Sequence, residues 1–207
     1  MSVAHGEAVG ILEGHGEVGG RSLNWWGMIF FIMSEALIFA NLIAAYLYLE
    51  IRYSKPWVLP DGTHLEILFP AINTIILLSS SIPVRIAGAG IAKGNQRNLV
   101  LGLLGTIILG STFLGGQAFE YSTLFGLNFN PSYQIFGSAF FTLTGFHGLH
   151  VTVGILFLII VFLRSVRGDF TARKHFAVQA AEMYWHFVDL VWVVVFSTVY
   201  LLPLIRG

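Results

Sequence analysis

Five side chains have the types and spacing for acid–base or ligand chemistry, and all of them stand among apolar neighbours: Glu35, His147, His150, His186 and Asp189. Glu35 falls in WGMIFFIMSEALIF, ten residues after Trp25 and eleven before Tyr46. Two readings stand for it. A carboxyl there is either a proton-linked or regulatory group, or a neutral acid hydrogen-bonded across a helical bundle. Either way it needs a partner, because a charge at the middle of a membrane helix costs about 2.5–3.5 kcal/mol on insertion scales. His147 and His150 lie in TGFHGLH, and His186 and Asp189 in YWHFVDLVW. Each pair is spaced i, i+3, so on a helix its members project from neighbouring positions of one face.

Two histidines on one face invite a metal reading that would join His147, His150 and Glu35. A metal site usually takes three or four ligands with a supporting second layer. The other histidines fall in the opening segment (His5, His15), in loops (His64, His175) or near a span end (His186). Hydrogen bonding is therefore the expected role, with no metal or cofactor in this chain. An aspartate can orient a neighbouring imidazole, but nothing near His186 and Asp189 offers a nucleophile. There is no G-x-S-x-G elbow, no GxxxxGK[ST] phosphate loop and no cysteine. No catalytic residue is expected, and the pair is read as glue between helices.

The elements that position these groups follow from composition. Of 207 residues 56% are hydrophobic and 11% charged, against roughly a quarter charged in a soluble domain. Eleven basic and eleven acidic residues cancel, which offers no surface to nucleic acid. Crossing a bilayer takes ~20 mainly apolar residues. Five stretches qualify: Trp25–Leu49, Leu68–Ala92, Leu99–Phe119, Phe136–Leu163 and Tyr184–Leu204, the third interrupted near its end by Gln117 and Glu120. The expectation is an all-α, polytopic membrane protein with five helices in one bundle over 25–207, preceded by a mobile tail over 1–24. That tail has neither the basic start nor the apolar core of a secretory signal. Its His5 and His15 are read as solvated.

Orientation follows from the loops. Arg21, Lys93, Arg97, Arg164, Arg167, Arg173 and Lys174 fall on the side of the N-terminus, against Arg52, Lys55 and Arg206 opposite. This places the N-terminus in the cytoplasm and the C-terminus outside. Trp25, Trp26, Tyr46, Tyr48, Tyr133, Tyr184 and Tyr200 are expected as interfacial anchors. Pro83 should kink the second span near Ser79, with Ser80 and Ser81 re-satisfying freed backbone groups, while Arg85 snorkels to the cytoplasmic face. Gly102, Gly105, Gly110, Gly115 and Gly116 suggest close helix packing in the third.

Read in order, the polar positions resemble subunit III of the haem–copper oxidases, most of all that of cytochrome c oxidase in a short five-helix bacterial form. The matching strings are WGMIFFIMSEALIF (26–39), PAINTIILL (70–78), GQAFEY (116–121), FGSAFFTLTGFHGLHVTVG (136–154) and HFAVQAAEMYWHFVDLVWVVVFSTVY (175–200). FHGLH together with YWHFVD is what makes the resemblance specific. It implies a non-catalytic subunit of the aerobic respiratory chain, packed against subunit I in a bacterial plasma membrane. Haem and copper then sit in partner subunits. The implied work is to hold structural phospholipids, sustain proton uptake and protect the enzyme during turnover. Glu35 falls on the family's buried glutamate, His147 and His150 on its paired histidines, and His186 and Asp189 on the WHFVD motif. Arg164 falls on an arginine that meets a lipid phosphate, a task that suits a guanidinium fork.

Two features depart from the family pattern. Long members carry two further helices at the start that wall a lipid cleft, and this chain opens with the SEALIF helix. The glutamate often found four residues after the HF pair begins is Gln179 here, with Glu182 three places on. Two alternatives come from other quarters: subunit III of a quinol oxidase, and a small proton-coupled transporter using Glu35 and His147. Transporters of that kind often show inverted repeats, and no repeat is visible in the sequence.

Overall fold

The computed structural model describes residues 17–18, 21–53, 59–60 and 65–203. Most of the expected tail, with His5 and His15, lies outside them, as does His64. Two short strands, β1 (Glu17–Val18) and β2 (Arg21–Ser22), pair antiparallel. Ser22 then starts the first helix: its Oγ accepts from the Trp25 N–H at 3.3 Å, satisfying a donor the helix itself leaves without a partner.

Helix α1 spans Leu23–Arg52, α2 Leu68–Ser79, α3 Ser81–Ala92, α4 Gln96–Gly126, α5 Gln134–Val166 and α6 Phe176–Phe196. A π-helical turn, Ser197–Leu201, continues α6. α2 and α3 are two halves of one crossing, so the described residues hold five helices long and apolar enough to span a membrane. The 33 residues of α5 extend about 50 Å at 1.5 Å each, beyond ~30 Å of hydrocarbon. Its ends therefore stand in the headgroup layers.

Three helices stop in the same way. After α3, Gly94 takes φ 73° and the N–H groups of Gly94 and Asn95 donate to the carbonyls of Ile91 and Gly90. After α4, Asn128 (φ 60°) and Phe129 donate to Phe125 and Leu124; after α5, Gly168 (φ 79°) and Asp169 donate to Ser165 and Arg164. This pair of backward bonds closes carbonyls that the helix leaves open, and glycine or asparagine at the left-handed position allows it at least strain.

The expected interruption of the third span does not occur: α4 runs on through Gln117 and Glu120. Gln117 donates its Nε2–H to the Thr144 carbonyl at 3.2 Å, and Glu120 accepts from the Tyr200 hydroxyl at 2.8 Å. A polar side chain satisfied across the bundle need not end a helix. In the second span the break falls at Ser80, three residues before Pro83, which lacks the N–H a continuous helix would use there. Ser79 and Ser80 turn their hydroxyls back onto Ile76 and Leu77 carbonyls.

α6 is the hub, packing against α1, α2, α3 and α5. Trp185 and Trp192 lie seven residues apart on one face of it. Their indole N–H groups donate to Ser80 Oγ at 2.8 Å and Thr74 Oγ1 at 2.9 Å. The Trp185 ring lies so close to α4 and α5 that a Cβ on Gly110 would come within 2.6 Å of it and one on Gly154 within 3.0 Å. α1 is peripheral: it packs mainly against α5 and α6, and only Phe39 and Tyr46 of it are buried.

Three tyrosines expected at the membrane interface are interior instead: Tyr46, Tyr184 and Tyr200 are 2%, 4% and 3% exposed. Tyr184 donates to the His150 carbonyl and Tyr200 to Glu120. A phenol with an internal acceptor has no need of the headgroup layer. We expect Gly110→Val to drive Trp185 off Ser80 and destabilise the bundle by about 1–3 kcal/mol, read as a lower thermal midpoint in detergent. Gly115→Ala, where a Cβ meets nothing within 4 Å, should not lower it.

Candidate functional site

Glu35 and His150 meet half-way along their helices. Twelve residues into α1, Glu35 Oε2 lies 3.0 Å from His150 Nε2 on α5. The other ring nitrogen, Nδ1, lies 2.8 Å from the Phe146 carbonyl oxygen one turn back. A carbonyl only accepts, so Nδ1 carries a hydrogen and Nε2 is the nitrogen that faces the carboxyl. A single proton then lies between Nε2 and Oε2. On the oxygen it makes a neutral acid beside a neutral imidazole; on the nitrogen it makes an ion pair. Both arrangements have zero net charge, which is what a site at hydrocarbon depth tolerates. The imidazole is packed between Phe39 and Phe146, each with its ring centre 4.8 Å away. The side chains are 10% (His150) and 20% (Glu35) exposed, so the pair sits at the edge of the bundle, joining the peripheral α1 to α5.

His147, one turn before, does not join them. It is fully buried, its ring 4.6 Å from Trp192 and edge-on to Phe113 at 6.0 Å. Neither of its nitrogens has a hydrogen-bond partner among the described residues. The expected hydrogen bond across the bundle is thus not what holds this ring; aromatic contact is. Among the described residues no three histidine, cysteine, aspartate or glutamate side chains come together as a metal-binding group.

His186 and Asp189 are brought together through a third residue, Ser81 on α3. Its hydroxyl donates to Asp189 Oδ2 and lies 3.2 Å from His186 Nδ1. With its one hydrogen given to the carboxylate, the serine oxygen accepts from the imidazole. On the far side of the ring, Nε2 is 3.8 Å from Glu182 Oε1. The glutamate displaced by three from the expected place therefore stands beside this histidine, across from Gly88 of α3. Asp189 is buried while His186 and Glu182 are partly exposed, so the cluster runs from the bundle surface into its core.

Arg164 stands apart, in the last turn of α5. Its Nε donates to Asp169 Oδ2 at 3.2 Å and its guanidinium lies 5.0 Å from the Phe170 ring centre. Both partners of that ion pair are about half-exposed, so it contributes little to stability.

Sequence reasoning missed four residues that build the interior. Ser81, expected to re-satisfy freed backbone groups, instead completes the His186–Asp189 cluster. Trp185 and Trp192 fasten α6 to α2 and its break. Asn73 donates from its Nδ2 to the Phe113 carbonyl at 2.9 Å, with Gly116 opposite leaving room for the amide. The seven-residue spacing of the tryptophans was a visible signal of one shared face. Nothing in the sequence marks Ser81 among its two serine neighbours.

The sequence profile of the family described as "Cytochrome c oxidase subunit III" matches residues 8–203. The chain belongs to the cytochrome c oxidase subunit III family. The subunit 3 of Thermostichus vulcanus is 41% identical over 201 residues, covering 96% of either chain. That of Synechocystis sp. is 42% identical over 193 residues, covering 92% of this chain and 80% of the relative. The horse subunit 3, from Equus caballus, is 39% identical over 183 residues, covering 84% of this chain and 68% of its own. This subunit III is accordingly a multi-pass membrane protein and one component of an oxidase assembly.

Replacement of Glu35 tests the geometry of the clamp. Glu35→Gln retains a donor for His150 Nε2, whereas Glu35→Ala leaves a largely buried imidazole nitrogen unpaired, at a cost of about 1–3 kcal/mol. The Ala variant should melt at a lower temperature than the Gln variant in detergent.

Proposed function

We propose that this subunit III packs against subunit I in a bacterial plasma membrane, with its N-terminus in the cytoplasm, and that it sustains proton uptake and turnover stability while haem and copper reside in the partner subunits. The Glu35–His150 pair carries the reading. A neutral, proton-sharing clamp at mid-membrane can hold an otherwise exposed helix in register without presenting a charge to lipid. Among the described residues, the rings that flank it are Phe39 and Phe146, which pack against it. His147 supports the same reading by what surrounds it: a ring walled by Phe39, Phe113 and Trp192 is fitted for packing. A transporter relay from Glu35 to His147 has the geometry against it, since Glu35 is bonded to His150 instead.

The His186–Ser81–Asp189 cluster is assigned an architectural role, fastening α3 to α6. Arg164 is assigned to an anionic lipid. Its exposed guanidinium sits at the end of a helix that outreaches the hydrocarbon, on the side where the loops are rich in lysine and arginine. The α1 face, exposed over most of its length, is where lipid or a neighbouring subunit would lie, as the cleft of long family members implies.

The test is Glu35→Ala in the assembled oxidase. Assembly yield should fall, or activity should decay faster during turnover, with Glu35→Gln closer to the native protein. Normal assembly, proton uptake and activity lifetime in the Ala variant would refute the role. Arg164→Ala should lower retention of an anionic phospholipid about tenfold, the scale of one charge-assisted hydrogen bond, as counted by native mass spectrometry of the complex.

A further inference from the structure

At the end of the bundle opposite Arg164, a pocket of about 470 Å³ opens between the start of α2 and the last turns of α4. It falls within the size range of small-molecule sites, ~300–1,000 Å³. Its walls are apolar, formed by residues such as Phe69, Pro70, Phe119 and Leu124. The two phenylalanine rings face one another at 5.5 Å, tilted by 52°. Two carboxyls line it, Glu66 and Glu120, and among the described residues no lysine, arginine or histidine does.

Glu120 is held in place from behind. The Tyr200 hydroxyl, on a residue only 3% exposed, donates to its Oε1 at 2.8 Å. Tyr200 belongs to the π-helical turn Ser197–Leu201, a widened turn of a kind that often occurs at functional sites. Phe196 stacks on its ring at 5.3 Å. The carboxyl is thus fixed by a buried phenol while it also lines the pocket. Its depth is informative too. Glu120 stands six residues before the end of α4, about 9 Å, and α4 with its 31 residues exceeds the hydrocarbon by about 8 Å at each end. The carboxyl therefore lies where hydrocarbon gives way to headgroups.

From this cavity, its charge and its depth we infer that the pocket is a binding site for an ammonium-headed amphiphile. The alkyl part lies against Phe69, Pro70 and Leu124. The ammonium lies between the Glu120 and Glu66 carboxyls, within reach of the aromatic faces of Phe69 and Phe119 that also attract a cation. The ligand chemistry is shared by two sources, an aminophospholipid of the membrane and a free single-chain amine. The site is separate from Arg164, which stands at the other membrane face and suits the opposite headgroup charge.

The purified oxidase complex in dodecyl maltoside, a detergent without nitrogen or charge, permits the test. Spin-labelled stearylamine and spin-labelled stearyl alcohol are compared by the motionally restricted fraction of their electron paramagnetic resonance spectra. The amine should show the larger fraction. Glu120→Gln keeps an oxygen to accept from Tyr200 but removes the charge, and should weaken amine binding about tenfold. Glu66→Gln, at an exposed position, should weaken it by a smaller factor and tests the site even if the Glu120 variant fails to assemble. Alcohol binding should change in neither. Equal restriction of amine and alcohol, or an amine preference unchanged in both variants, overturns the proposal. Spin-labelled phosphatidylethanolamine then separates the sources: restriction lost in Glu120→Gln supports the proposal with the membrane lipid as ligand, and restriction of the amine alone supports it with a single-chain amine.

Discussion

A polar group placed at hydrocarbon depth has no water to turn to, so its partner must come from the protein. That constraint organises this bundle. The indoles of Trp185 and Trp192 reach hydroxyls on the helix opposite, Ser81 links a carboxylate to an imidazole, and Glu35 shares a proton with His150. Each contact joins two helices that lipid would not hold together, because lipid chains are as apolar as the helix surfaces. α6 has most of these contacts and is the most buried of the spans. α1 is the least buried.

The same constraint separates most of the hydrogen-bonded polar residues into two kinds, His147 standing outside both as a ring held by aromatic contact. Ser34 and Asn41 on α1 are exposed, and turn their hydrogens onto carbonyls of their own helix, Phe31 and Leu37. Such residues are compatible with a lipid-facing surface. The groups that reach across helices instead tie one helix to another. Glu35 belongs to the second kind although it lies on the helix made mostly of the first. This makes Glu35 a polar tie between an otherwise largely exposed helix and α5.

Much of this was legible beforehand. The five spans follow from long apolar runs, since a continuous 20-residue apolar segment has few other stable settings. That Glu35, His150, His186 and Asp189 would take partners on other helices follows from finding ionisable groups inside those runs. The kink in the second span follows from Pro83. Less legible were the partners. The i, i+3 spacing put His147 and His150 side by side on α5, yet a helix face covers an arc wide enough to meet two different neighbours. His150 meets α1 and its carboxyl, and His147 turns to Trp192 and Phe113. Tyr46, Tyr184 and Tyr200 misled for a similar reason: position near a span end says how deep a ring lies, and says nothing of whether it faces in or out.

The amino-acid sequence by itself determined the membrane as solvent, the number of crossings and the residues that would need partners, because hydropathy and chain length are properties of segments taken one at a time. Tertiary structure decided who those partners are. Hydrogen bonds such as Tyr200 to Glu120, eighty residues apart, and Trp192 to Thr74, 118 apart, depend on how helices rotate and approach. That rotation is set by close packing of side chains from four neighbouring helices at once, a collective quantity that no single segment encodes.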